Sequence, residues 1–220
     1  MGSTTRDLVI GDDTVSGYDT GWGGWITWGD PADEQDLGEE LWGRGFFLGT
    51  YPVKDRLGVI LGGHRDDTAA GAAAFVHMVR DRLTTVATRT EHALKRIVDN
   101  DEKYYWPLFD RRSTRWAHQR VVLLGDAAAG FLPTAGIGAC MAIESAEVLA
   151  RHLRYATGND LLRNLAEYER RQRPRVEAAQ NNARSLARLM FNSSLERWPS
   201  PVTWQRGGSR QEPRFAPSVG

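Results

Sequence analysis

The residues whose types and spacing suit chemistry lie together in one stretch, Arg120 to Leu153, RVVLLGDAAAGFLPTAGIGACMAIESAEVLARHL. An apolar run ends at Gly125-Asp126 and small residues follow. A Pro133-containing loop then presents Gly136-Ile137-Gly138 at the start of a helical pattern. A carboxylate at a strand end can accept hydrogen bonds from the hydroxyls of a sugar or ribityl chain. Glycines let a backbone approach a flat ring system closely. A helix start offers unbonded N–H groups and a positive dipole end, suited to a polar or anionic acceptor. The same residues also read as an ordinary turn before a helix, with Asp126 as a local turn-former. Spacing alone leaves both readings open.

Other chemistries lack their residues. There is no G-x-x-x-x-G-K-[ST] phosphate loop, no H-E-x-x-H and no G-x-S-x-G nucleophile elbow. No G-x-G-x-x-G is present either, since Met141 stands where the third glycine after Gly136 and Gly138 would be. The five histidines, His64, His77, His92, His118 and His152, have no ligand spacing, and no metal site is expected. A single cysteine, Cys140, forbids an internal disulfide and a multi-thiolate zinc site, and it fits a reducing, cytoplasmic setting. The polar start, Met1 to Arg6, does not read as a secretory signal. No apolar run reaches the length of a membrane span. With 28 basic and 28 acidic residues, affinity resting on nucleic-acid phosphates or an anionic membrane is not expected. The balance hides an asymmetry: ten acids to one arginine up to Glu40, and thirteen arginines to six acids from Arg151 onward. Such blocks usually mark solvated faces.

The elements that must position the stretch can be read from periodicity. Trp22–Trp28 (WGGWITW), Gly43–Val53 and Arg56–Gly62 read as strands, with a tight hairpin at Lys54-Asp55. Pro31–Gly38 reads as a loop. Ala72, Phe75, Val76, Val79 and Leu83 mark one face of a helix entered from a cap at Asp67-Thr68. A second helix is expected near Glu91–Asp99, then a strand at Lys103–Asp110 in which Pro107 demands a turn or an edge. Arg120–Leu124, apolar without alternation, predicts a strand buried on both faces. A helix follows with Ala142, Ala146, Leu149, Ala150 and Leu153 on one face, then two more at Asp160–Arg171 and Pro174–Leu195. Beyond Trp198 the chain reads as a flexible tail. Four consecutive regions result: 1–112, a sheet with helices; 113–155, the strand–loop–helix; 156–197, C-terminal helices; 198–220, the tail.

The chemistry-bearing stretch resembles the second flavin-binding motif of the FAD-dependent monooxygenases of the aromatic-hydroxylase (p-hydroxybenzoate hydroxylase-like) family. Those proteins carry Gly-Asp-Ala-Ala-His after a strand, then a proline and a Gly-x-Gly opening a helix. Gly125-Asp126-Ala127-Ala128, Pro133, Gly136 and Gly138 match. The segment Gly2 to Arg6 resembles the end of the family's Asp-Gly motif, and the likeness runs from about Ser3 to about Arg188. Ala129 replaces the family's His, and Ile137 replaces its Gln.

The resemblance implies an α/β (α+β) fold. A mixed or antiparallel substrate-covering sheet with helices would be followed by the flavin-contacting strand–loop–helix and C-terminal helices. It implies that Gly125 belongs to the FAD-binding turn and that Asp126 binds the ribityl or pyrophosphate-side hydroxyls of FAD. Pro133 would lie along the isoalloxazine, and the backbone of Gly136, Ile137 and Gly138 would face its N1–C2 carbonyl edge. The activity implied is FAD-dependent hydroxylation of an organic, aromatic or polycyclic substrate with NADPH or NADH and O2. The substrate would lie between the flavin and Trp25, Trp28, Phe46, Phe47 and Tyr51. No catalytic residue is assigned. The family's glycine-rich dinucleotide-binding unit is missing from these residues, so the chain alone is expected to bind FAD weakly and to turn nothing over. The alternative is an inactive binding or interaction module that needs a partner chain supplying that unit.

Overall fold

The computed structural model describes residues 2–11, 15–30, 38–158, 160–191 and 202–206. The chain divides into two compact units, each discontinuous in sequence. The first is built from residues 1–20 and 108–190, the second from residues 21–107 and 191–220. They therefore interleave, where the sequence reading cut the chain into consecutive regions.

The second unit is an antiparallel sheet covered on one face by helices. Its strands are β1 (Val15–Gly29), whose second half lies here, β2 (Gly38–Gly43), β3 (Phe46–Val53) and β4 (Arg56–His64). Their order is β1-β4-β3-β2, and β9 (Val202–Arg206) pairs with β2. β9 falls in the region read as a flexible tail, and the rest of that region lies outside the described residues. The Lys54-Asp55 hairpin is present: Val53 pairs with Arg56, and Lys54 takes φ 53°. Left-handed backbone is what a two-residue hairpin demands.

The pairing Trp25↔Leu61↔Leu48↔Leu41 fixes which side chains share a face. That face also carries Phe46, Leu57 and Val59. It packs against α3 (Ala72–Arg82), through Phe75, Val76 and Val79, and α4 (Thr88–Asp99), through Ala93, Leu94 and Ile97. The expected inner faces of both helices are thus observed. The entry to α3 differs. Asp67 and Thr68 belong to a separate turn, α2 (Arg65–Thr68), and Gly71 at φ 98° holds the position before α3. A side-chain cap there would need a residue able to take that φ, and only glycine does so without strain. Lys103 donates to the Val98 and Asn100 carbonyls, closing the C-terminus of α4.

The first unit opens with α1 (Thr4–Val9), capped by Ser3, whose hydroxyl accepts from Arg6 N. Arg6 is buried and bonds the Asp7 carboxylate through Nε. The first half of β1 lies here with β5 (Tyr104–Ser113) from Leu108 onward, which also pairs with the two-residue β8 (Ala129–Gly130). β8 meets β5 only at Arg111 and Arg112, so Pro107, which has no N–H to give, sits where β8 asks for none.

Arg120–Leu124 departs from expectation. Only Val121–Val122 form a strand, β7, and the partner is β6 (Ala117–His118) in a two-stranded antiparallel sheet. Leu123 is buried, but Val121 and Val122 are half-buried and Leu124 is 36% exposed. Among the described residues no parallel neighbour flanks the run, so it is not buried on both faces.

Two helices complete the unit. α5 (Gly138–Leu153) packs through Met141, Ser145, Val148 and Leu149, not through Ala146 and Ala150, which are exposed. Alanine fits either side of a helix, so an alanine-rich stripe does not mark the inner one. α6 (Leu161–Phe191) is one helix where two were expected, with Pro174 inside it. Its buried residues Leu165, Tyr168, Gln172, Val176, Gln180, Ala183, Ala187 and Met190 recur every three or four positions straight through the proline. Burial of that continuous stripe outweighs the lost N–H and the clash that normally break a helix. Pro174→Ala should therefore stabilise the protein by about 1–2 kcal/mol, the helix gain less the entropy proline removes from the unfolded chain. Urea denaturation reads this directly, and an unchanged or lowered midpoint would contradict it.

Candidate functional site

The loop from Gly125 to Gly138 is built from two tight turns and a short strand. Gly125, at φ 58°, starts a 3-10 turn through Ala127, closed by Ala128 N donating to Gly125 O. A side chain on Gly125 would press on the Ala142 methyl at 3.4 Å, so the turn is packed onto α5. β8 follows, then Phe131 and Leu132, both buried. A second 3-10 turn spans Pro133–Ala135, with proline at its first position. Gly136, at φ 63°, reverses the chain, and Ile137 leads into α5.

α6 holds this loop at several points. The fully buried Gln180 donates through Nε2 to Gly130 O at 2.9 Å and to Arg111 O at 3.0 Å, fastening β8 and β5. Thr134 Oγ1 donates to Ala183 O at 3.1 Å and pins the second turn. Gln172 donates to Ser145 Oγ and Glu144, and Arg175 also bonds Glu144, so α5 is clasped to α6. The Arg175 and Gln172 donors hold the Glu144 carboxyl below its usual range. Beneath the clasp, burial pushes the Tyr168 phenol up to about 12. Trp116, Leu123, Ala128, Ala129, Phe131, Tyr168, Val176 and Ala183 form the supporting core.

The loop therefore exposes backbone on a rigid base. A side chain on Gly136 would meet no atom within 4 Å, so the space before it is open. At Gly138 an added Cβ would lie 3.3 Å from the Phe131 Cβ, which leaves no room for a larger residue without movement. No side chain caps α5, and its first intrahelical backbone bond is Met141 N to Ile137 O. The N–H groups of Gly138, Ala139 and Cys140 point to the free end of the helix dipole. Asp126 and Pro133 are exposed, and Asp126 has no hydrogen-bond or ion-pair partner among the described residues. The six residues singled out from sequence thus lie on one loop and helix start: Gly125, Asp126, Pro133, Gly136, Ile137 and Gly138. Ala129, where the family resemblance would place histidine, is a buried methyl in β8.

An anion or an electron-rich carbonyl edge fits the α5 N-terminus, and hydroxyl groups fit the Asp126 carboxylate. FAD presents both kinds of group, and no protein atom lies within 4 Å of where a Gly136 side chain would begin. The one titratable side chain in the first turn of α5 is the exposed thiol of Cys140.

The aromatic residues expected around a substrate divide between two faces. Trp25 and Phe46 point into the helix-covered core of the second unit. Trp28, Phe47 and Tyr51 lie on the opposite face, with Trp42 and Glu40. There the Tyr51 ring lies over Gly49 and the Trp28 ring over Gly58, where added Cβ atoms would come within 2.6 Å and 3.1 Å of them. Glu40 accepts from Tyr51 Oη at 3.1 Å and Trp42 Nε1 at 3.3 Å. Sequence reasoning missed Glu40 and Trp42, because β2 was not read as a strand. Among the described residues no group of three His, Cys, Asp or Glu side chains could hold a metal, and no helix is long and apolar enough to cross a membrane.

Known proteins resemble this chain in sequence and in fold. The model of the family described as "FAD binding domain" matches residues 74–183, half of the chain. Asperlicin C monooxygenase of Petromyces alliaceus is 30% identical over 137 residues, covering 60% of this chain and 29% of that protein. 3-Hydroxybenzoate 6-hydroxylase of Klebsiella oxytoca is 32% identical over 101 residues, covering 46% and 25%. The structure of Klebsiella pneumoniae HpxO complexed with FAD and uric acid superposes with a TM-score of 0.71 at 24% identity, over 89% of this chain and 52% of that one. Pseudomonas aeruginosa PqsL in complex with 2-aminobenzoylacetate gives 0.64 at 20% identity, over 80% and 50%. The chain thus spans about half the length of these solved relatives and less of the curated ones. It belongs to the FAD binding domain family, as a part-length relative of FAD-dependent monooxygenases and hydroxylases.

Proposed function

We propose that this chain supplies the isoalloxazine-side FAD contacts and the substrate sheet of an FAD-dependent monooxygenase. The reaction is hydroxylation of an organic, aromatic or polycyclic substrate, with NADPH or NADH as electron donor. The observation that carries the proposal is the open, uncapped start of α5 behind Gly136, with the unpartnered Asp126 on the same loop. Bound there, FAD would supply the redox chemistry. The N–H groups of Gly138 and its neighbours would favour negative charge on the ring edge without adding a proton donor of variable charge. Asp126 would accept from ribityl or pyrophosphate-side hydroxyls, and Pro133 would lie along the ring. The Trp28–Phe47–Tyr51 face would receive the organic substrate. Supporting this, relatives solved with small molecules hold uric acid or 2-aminobenzoylacetate. No G-x-G-x-x-G occurs in these residues, so the diphosphate grip would come from elsewhere.

The test is FAD binding, measured by quenching of flavin fluorescence. The 220 residues alone should bind FAD no tighter than roughly 10 µM, a free energy near −7 kcal/mol. Expressed with any residues its gene encodes upstream of Met1, or with a co-purifying chain that carries G-x-G-x-x-G, the protein should retain flavin through purification. Asp126→Ala in that flavin-retaining form should weaken FAD roughly tenfold or more. Unchanged affinity would remove Asp126 from the site. Absence of flavin in every form would remove the proposal.

A further inference from the structure

A cavity of about 740 Å³ opens in the second unit, on the helix-covered side of the sheet and away from the Trp28–Phe47–Tyr51 face. It runs along α4 beside the β3–β4 hairpin. Its walls are apolar where Leu57 and Ala93 meet, and basic along the rim at Arg89, His92 and Arg96. That size lies within the range of small-molecule sites, which combine apolar walls with a few placed polar groups.

The charges of the rim are unequally satisfied. Arg89 lies 3.4 Å from the Glu39 carboxylate, and Lys95 is paired with Asp99 at 2.6 Å. The Arg96 side chain, also in the lining, makes no hydrogen bond or ion pair among the described residues. Its guanidinium instead lies across the backbone of Gly29, where an added Cβ would fall 1.6 Å from Nη1. The glycine keeps that passage clear. The far end of the cavity is fixed by Asn100, whose Nδ2 donates to Trp28 O at 2.7 Å. The near end includes Thr88 and Arg89, in the first turn of α4, which has no side-chain cap.

A half-buried arginine without a counter-ion, over apolar walls, calls for one planar anionic group on an apolar body. We propose that this cavity is a binding site for small aromatic or aliphatic carboxylates, with the carboxylate on the Arg96 fork and the hydrocarbon against Leu57 and Ala93. The match to carboxylate rests on the guanidinium geometry, two parallel N–H donors meeting two oxygens. The site is separate from the flavin loop and does not depend on FAD being bound.

The experiment titrates benzoate, its neutral isostere benzamide and inorganic phosphate into the isotope-labelled 220-residue protein, followed by amide chemical shifts. Benzoate should shift the amides of residues 88–100 and of the β3–β4 hairpin saturably. Benzamide and phosphate should each bind at least tenfold more weakly. Arg96→Met should weaken benzoate roughly ten- to hundredfold. Arg96→Lys keeps the charge and loses the fork, so it should fall between. Arg151→Met, on the surface of the other unit, should leave benzoate binding unchanged and so control for a general loss of positive charge. If benzoate shifts nothing in α4, if benzamide binds as well, or if phosphate matches benzoate, the proposal fails. It also fails if Arg96→Met has no effect in a protein whose remaining spectrum shows it folded.

Discussion

Removing the Asp110 carboxylate is expected to cost about 3–5 kcal/mol of stability. Asp110 is 1% exposed. Both its oxygens are taken: Arg184 donates Nε to Oδ2 and Nη2 to Oδ1, each at 2.7 Å, and Tyr18 N donates to Oδ1 at 3.1 Å. The guanidinium groups of Arg184 and Arg188 both lie over the Tyr18 ring, at 5.5 and 5.2 Å from its centre. One carboxylate thus ties α6, β5 and the first half of β1 within the first unit. Asp110→Ala leaves the Arg184 charge in a poorly hydrated place without its counter-charge, which costs more than the pair itself contributes. Arg184→Met leaves the converse, a buried carboxylate with one remaining N–H. The double variant should lose clearly less than the two single losses added together, because the second change removes an already orphaned charge. Urea denaturation of the four proteins measures all of this. A loss below about 1 kcal/mol for Asp110→Ala would place the pair among surface ion pairs.

The second large effect is expected at Phe75. Its ring is fully buried at the centre of the second unit, against α4 and the helix-covered sheet face. Phe75→Ala should cost about 3–5 kcal/mol through lost transfer energy and the cavity left behind. The ring also explains why position 63 is glycine. A Cβ there would lie 2.3 Å from the ring and 3.1 Å from Gly45 O. Gly63→Ala should therefore cost about 1–3 kcal/mol in the natural protein, through overpacking. It should cost much less in the Phe75→Ala background, where the ring is gone. Equal costs in both backgrounds, read from denaturation midpoints, would show that the glycine answers to its backbone neighbour alone.

These contacts show what the sequence could and could not convey. The strand at WGGWITW, the Lys54-Asp55 hairpin and the inner faces of α3 and α4 were legible, because each is written in local alternation or helical period. The ligand loop was legible for a different reason: Gly125, Asp126, Pro133, Gly136 and Gly138 are residue types that tight turns and close approach both need. β2 escaped notice because Glu39 and Glu40 precede its apolar residues, and only pairing with β3 makes GEELWG a strand. The division of the aromatics, Trp25 and Phe46 inward and Trp28, Phe47 and Tyr51 on the other face, depends on register. Within β3 only Gly49 stands between Phe47 and Tyr51 on that face, so no polar residue of the strand signals it as the outer one. The unbroken α6 was hidden by Pro174, since its buried stripe is only visible once Gln172 and Gln180 are known to have partners inside. Arg120–Leu124 looks like an inner strand in isolation; how far it is buried depends on neighbours that lie outside the run itself.

The interleaving of the two units bears on the order in which they can form during synthesis. Apart from β9 and Phe191, the sheet-and-helix unit is drawn from one uninterrupted stretch, residues 21–107, and its core can close as soon as α4 has left the ribosome. The opening twenty residues have no such option. Their partners Leu108 and Asp110 emerge only at mid-chain and Arg184 near the end, so the N-terminal segment must wait, unpaired, until the second half of the chain is being made. A nascent chain halted after residue 107 should thus hold one structured lobe and one idle leader, and a chaperone would find its substrate in the leader.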